Sequence, residues 1–323
     1  MAIRDSDPVL GKYPALGAKQ LKACLYFLLI NYHELSVHFE RFLIFPQGDT
    51  SKAPVGIMAD EKYIHTNVLR DSLHNAIKSL DISDDKKKDL FREMYRSADI
   101  LTLTKKDLTW LVEDKRASYW LWLHLLHENT FTRDNESISM LKAVFAIINN
   151  NTYPSEDERL NMITESFHSV IMPVEDKKHL LIYFKKLWND FIAKQPSIRW
   201  IDQKNKEMGE FLWRYLKKDG ELMLALPYYF TMPHTDNESC TSFIAALDYC
   251  SLPESNRKLF IIRAQKAWHQ HKLREKQKRE KRKPINISIS DDAKRKLANL
   301  AKKNSTTMGV MIERLIINAH DSD

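Results

Sequence analysis

A chain of 323 residues, 43% of them hydrophobic, is long enough to bury a sizeable core and admits two or three domains. Only seven glycines leave no room for the glycine-rich phosphate loops of nucleotide-binding enzymes, and three cysteines, Cys24, Cys240 and Cys250, without a Cys-x-x-Cys pair exclude a disulfide framework or a zinc ribbon and read as small buried hydrophobes. The net charge of +7 sits at one end: residues 272–283 carry +6, residues 284–323 carry +1 and the first 271 residues sum to zero, which points to a polyanion as partner of the C-terminal part.

In chain order, the start from Met1 to Asp7 has no apolar run behind a basic stretch. The longest apolar stretches, Ala23 to Ile30 and Tyr119 to Leu123, are too short to cross a bilayer. A cytoplasmic protein with no membrane association is expected. Leu21, Cys24, Leu25, Leu28, Leu29 and Tyr32 recur at helical spacing, as do Trp120, Leu123, His124 and His127, and again Leu180, Leu181, Phe184, Leu187, Trp188 and Phe191. Helix starts are predicted at Ser83-Asp84-Asp85, Pro154-Ser155-Glu156-Asp157, Pro173-Val174-Glu175-Asp176 and Pro253-Glu254, where acids and hydroxyls satisfy free backbone N–H groups. Asp134-Asn135-Glu136-Ser137 recurs as Asp236-Asn237-Glu238-Ser239, which fits either a duplicated helical hairpin or reuse of a common cap. Gln195-Pro196-Ser197 is a candidate break.

Catalytic, metal and cofactor sites are not expected. Glu165 and His168 form the only Glu-x-x-His, whereas a di-iron bundle needs two with further glutamates. His124 and His127 lie on a Trp- and Leu-rich helix without a second ligand pair and read as core. Trp188, Trp200, Trp213, Tyr228, Tyr229 and Phe230 are better explained by a helical core than by base stacking.

The basic run from Lys272 to Lys283 has no apolar face, so nucleic acid is favoured over a membrane surface, with Lys278, Arg279, Lys281, Arg282 and Lys283 meeting phosphates. Pro284 ends the helix that carries it. Beyond it, Ile285, Ile287 and Ile289 alternate with Asn286, Ser288 and Ser290, the pattern of a half-buried strand. Ser290-Asp291-Asp292 caps a helix with Ala293, Leu297, Leu300 and Ala301 on one face. Asn304, tolerant of the left-handed conformation, ends it, and Thr307 caps a second helix carrying Val310, Met311, Ile312, Leu315 and Ile316. A lone strand has two unpaired edges, and about 40 residues make too small a core. Pairing with a second copy resolves both. Ile285, Ile287, Ile289, Leu297, Ile312 and Leu315 would form the dimer core, Asn286 and Ser288 would face a major groove as base readers, and the second helix start around Thr306 and Thr307 would hold a phosphate.

This strand-helix-helix resembles the ribbon-helix-helix superfamily of the Arc, MetJ and CopG repressors from Pro284 to about Ile316. The resemblance places Pro284, Asn286 and Ser288 at groove-facing positions, with Pro284 in place of a polar reader and Ser305 where the family usually has glycine. Further back, Trp213 to Lys218 with Gly220-Glu221-Leu222, Pro253-Glu254, Asn256-Arg257, Ile262-Arg263-Ala264, His269-Gln270-His271 and Leu297 to Ala301 are similar to the macrodomain Ter family of bacterial chromosome organisers. That resemblance implies that Arg263 and Lys266 flank the DNA together with the basic run.

The expected fold is therefore mainly α. It comprises an all-helical domain over 1–202, a helical bundle segment over 203–271, a basic helical connector over 272–283 and a dimerising ribbon-helix-helix over 284–323. The expected function is sequence-specific binding of double-stranded DNA at a palindromic site by a nucleoid-associated homodimer, as chromosome organiser or transcriptional regulator, without a cofactor. Two alternatives stand beside it: a scaffold whose N-terminal helices recruit a protein partner and whose C-terminal module is an address on DNA, and an RNA or single-strand binder using the basic run.

Overall fold

The computed structural model describes residues 6–7, 11–12, 16–46, 51–57, 66–127, 136–149, 154–195, 198–226, 238–250, 252–280 and 286–321. The chain is mainly helical and divides into two compact units, Met1–Trp268 and His269–Asp323.

The first unit opens on β1 (Ser6–Asp7) paired antiparallel with β2 (Gly11–Lys12). Next come α1 (Ala18–Asn31), a 3₁₀ helix over His33–Phe42, and β3 (Leu43–Ile44) antiparallel to β4 (Gly56–Ile57). Helices α2 (Thr66–Ser79) and α3 (Asp84–Ile100) close around α1. Leu21, Cys24, Leu25, Leu28, Phe39, Leu73, Phe91 and Met94 form the first apolar cluster. The expectation of an all-helical N-terminal region is thus corrected by two antiparallel pairs. Their two-residue strands are too short to leave an alternating pattern in the sequence.

A second, larger cluster is built by α4 (Thr109–Glu113), α5 (Lys115–Leu126), α6 (Glu136–Ile148), α7 (Glu156–Ser169), α8 (Val174–Ile192), α9 (Lys206–Leu216), α10 (Gly220–Leu224), α11 (Ser239–Tyr249) and the first half of α12 (Glu254–Arg279). Helix α5 is its axis. Ala117 to Leu123 are buried without interruption, as an apolar helix enclosed by neighbours requires, and α7, α6, α11 and α8 surround it. Asp114 caps α5 by accepting from the Arg116 and Ala117 N–H groups at 3.0 and 3.2 Å, and its other oxygen accepts from Trp188 Nε1 at 3.2 Å, tying α8 to that end.

The four predicted helix starts fall at α3, α7, α8 and α12. The one at α7 is a full capping box: Ser155 Oγ accepts from the Glu158 N–H at 3.4 Å while the Ser155 N–H donates to Glu158 Oε2 at 2.7 Å. Of the repeated capping motif, residues 134–135 and 236–237 lie outside the described residues.

Two glycines permit close approach. A Cβ at Gly56 would collide with Val144, and one at Gly209 with Ser239, so β4 lies against α6 and α9 against α11 at distances no side chain allows.

The second unit contains the end of α12, then α13 (Asp291–Lys303) and α14 (Met308–His320). The strand expected over 285–290 is not formed. Residue 285 lies outside the described residues, and residues 286–290 lead into α13 without a ladder partner. The reason is physical: alternation specifies which side chains share a face, but a strand exists only through hydrogen bonds to a neighbour, and no described segment of this unit supplies one.

Candidate nucleic-acid interface

Positive charge collects where α12 enters the second unit. Lys272, Arg274, Lys276, Lys278 and Arg279 are exposed, and helical periodicity spreads them around the axis. Cations in the last turn also suit the negative end of the helix dipole. Lys281, Arg282, Lys283 and Pro284 lie outside the described residues.

The helix pair α13 and α14 is tightly specified at its ends. Ser290 Oγ accepts from the Ala293 N–H at 3.3 Å, with Asp291 and Asp292 in the first turn and Lys302 and Lys303 in the last. The Ser305 N–H donates to the Lys302 carbonyl at 3.2 Å and the Thr306 N–H to the Ala301 carbonyl at 2.9 Å, the double bond of a Schellman cap. Its left-handed residue is Ser305, at φ 49°, rather than Asn304, which stays at φ −98° and donates from Nδ2 to the Leu300 carbonyl. Thr307 Oγ1 accepts from the Val310 N–H at 3.3 Å and so starts α14 where the sequence predicts. The Thr306 N–H is committed to the cap. Any anion at this turn meets the hydroxyls and the first N–H groups of α14.

Within this unit only Ala301 and Met311 are buried among the described residues. Leu297 and Ile312 are half-buried, whereas Ile287 is 55%, Ile289 45%, Leu315 47% and Ile316 56% exposed. Asn286 and Ser288 are exposed as well, and Ile285 lies outside the described residues. Arg263 and Lys266 are exposed on the stretch of α12 that belongs to the first unit. The structure therefore gathers Asn286, Ser288, Thr306, Thr307, Lys278 and Arg279 into one unit and leaves Arg263 and Lys266 in the other.

No protein-family model, curated protein or solved structure matches this chain. No helix of the described residues is long and apolar enough to cross a membrane.

The remaining candidates have structural surroundings. His124 lies against Trp120, ring centroids 4.0 Å apart, with Nδ1 2.7 Å from the Trp120 carbonyl, and burial brings it down to about 4. Glu165 accepts from Lys22 Nζ at 2.7 Å, and burial brings His168 down to about 3. All three cysteines are buried. Trp188 donates to Asp114 and Trp213 to the Ser239 carbonyl at 2.8 Å, while residues 228–230 lie outside the described residues. Sequence reasoning missed the part-buried ion pairs Arg116–Asp248 and Arg159–Glu238 and the buried lysines Lys22 and Lys177. A signal existed for the lysines. Lys22 is in helical phase with Leu25 and Leu29, and Lys177 with Leu181, Phe184 and Trp188, so both lie on core-facing stripes.

Proposed function

We propose that the protein is a homodimeric, sequence-specific binder of double-stranded DNA, a chromosome organiser or transcriptional regulator associated with the nucleoid. In this reading two C-terminal units pair residues 285–290 as an antiparallel ribbon that enters the major groove. The observation that carries the reading is the uncovered apolar surface of the second unit. A unit that buries Ala301 and Met311 but leaves Ile287, Ile289, Leu315 and Ile316 open to water lacks a core, and a second copy supplies the missing half. Support also comes from the pattern shared with the ribbon-helix-helix superfamily and from the exposed cations on the last turns of α12, next to the segment that would be the ribbon. Asn286 and Ser288 then face base edges, and Lys278, Arg279, Lys281, Arg282 and Lys283 meet phosphates.

Selection from random duplexes should return an inverted repeat, and duplex should compete with single strands at fixed salt. Asn286→Ala should lower the ratio of cognate to random affinity, since one good base contact contributes about 1–3 kcal/mol. Arg279→Ala should weaken both duplexes alike and flatten the salt dependence by about one unit of slope. Preference for single strands, or an unchanged ratio in Asn286→Ala, overturns the reading.

A further inference from the structure

The two apolar clusters of the first unit meet across a polar seam formed by Lys22 and Tyr26 of α1, Glu165, His168 and Ser169 of α7, and Lys177 of α8. Lys22, 2% exposed, donates from Nζ to Glu165 Oε2 at 2.7 Å and to Ser169 Oγ at 3.3 Å. Lys177, 5% exposed, donates to the His168 carbonyl at 3.4 Å, and its Nζ lies 5.8 Å from the Tyr26 ring centroid. No carboxylate pairs with Lys177 among the described residues, and Lys22 acts on it as a like charge. An ammonium ion so enclosed lacks the partner that would offset its lost hydration.

We infer that Lys177 is a proton-operated latch between the α1–α3 group and the helices around α5: as a neutral amine it lets the seam close, and as an ammonium ion it loosens it. Burial first, and then the Lys22 charge, bring Lys177 down from 10.5 to about 7. When the seam opens, the amine regains water and its ordinary value. Between about pH 7 and 10.5 the open form therefore holds one proton more than the closed form. Closure strengthens as pH rises through that window, by up to tenfold per pH unit. Below about pH 7 both forms carry the Lys177 proton, and its contribution flattens.

The other charged or titratable groups around the seam are Lys19 and Lys22 on α1, Tyr26 beside them, Glu165 and His168 on α7, and Asp176 next to Lys177 on α8. In the closed seam burial holds His168 at about 3 and Tyr26 at about 12, so both are neutral there between pH 7 and 9; opening returns His168 to its ordinary 6.5, which adds its own dependence only below about pH 7.

Amide hydrogen exchange of α1 and α7 in the full chain, corrected for the intrinsic rate, tests the latch. Protection in the wild type should rise toward tenfold per pH unit from pH 7.5 to 9, while Lys177→Met, which keeps the stem and removes the proton, should be level over that range. A level wild type, or a Lys177→Met variant that keeps the slope, overturns the inference. A measurement without substitution guards against a variant that fails to fold. The ε-carbon resonance of Lys177 in the wild type should titrate near pH 7, and a midpoint near 10 overturns the inference equally.

Discussion

Ser305 occupies the left-handed turn between α13 and α14. The conformation costs a residue with a Cβ about 1–2 kcal/mol, and glycine escapes that cost but loses more chain entropy on folding, roughly 0.5–1 kcal/mol. Ser305→Gly should therefore stabilise the helix pair by about 0.5–1 kcal/mol, slowing exchange of the α14 amides roughly two- to fivefold. Faster exchange would mean that the serine hydroxyl contributes more than the strain costs. The sequence located this turn to within one residue. Asn304 looks the better left-handed residue by type, but the Schellman hydrogen bonds count back from the cap, and that count selects Ser305.

At the scale of elements, α5 is anchored at both the backbone and the side-chain level. Asp114 caps it, and Arg116 makes a two-point contact with Asp248 on α11, Nε and Nη2 each donating at 2.6 Å. Burial raises the Asp248 carboxyl above its ordinary range, and Arg116 works against that shift. Arg116→Met would leave the carboxyl enclosed without its cation and should cost about 3–5 kcal/mol, whereas Arg116→Met with Asp248→Leu should recover most of the loss. Denaturant unfolding of the two variants decides it: equal destabilisation would show that the pair contributes through shape rather than charge. Neither partner announces this in the sequence. Arg116 and Asp248 are 132 positions apart, and each taken alone looks like a surface charge. The starts of α3, α7, α8 and α12 were legible because the acidic residues that mark them lie in the first turn of the helix they begin, and at α7 Ser155 caps it as well.

For the molecule as a whole, the two units differ in how far each completes its own core. The first encloses Trp122, Phe145, Phe167 and Phe184, while the second leaves most of its isoleucines and leucines in water. If the second copy completes that core, Ile287→Asp should place two carboxylates in it and shift sedimentation from dimer to monomer. A wild type that sediments as a monomer at micromolar concentration, with and without DNA, contradicts the dimer. By itself the sequence determined what local chemistry controls: the mainly helical class, the four helix starts, the positive charge gathered before residue 284 and the alternation of apolar and polar residue types over 285–290. Periodicity, capping and charge are properties of neighbours along the chain. Only the tertiary structure decided that Lys22 and Lys177 are buried, that Arg159 reaches Glu238 across 79 positions, that Leu43 and Ile44 of one short strand enter different clusters, and that residues 286–290 form no strand within the chain. Each depends on which distant surfaces meet, and the free energy of a buried charge or a ladder hydrogen bond is set by the partner rather than by the residue that seeks it.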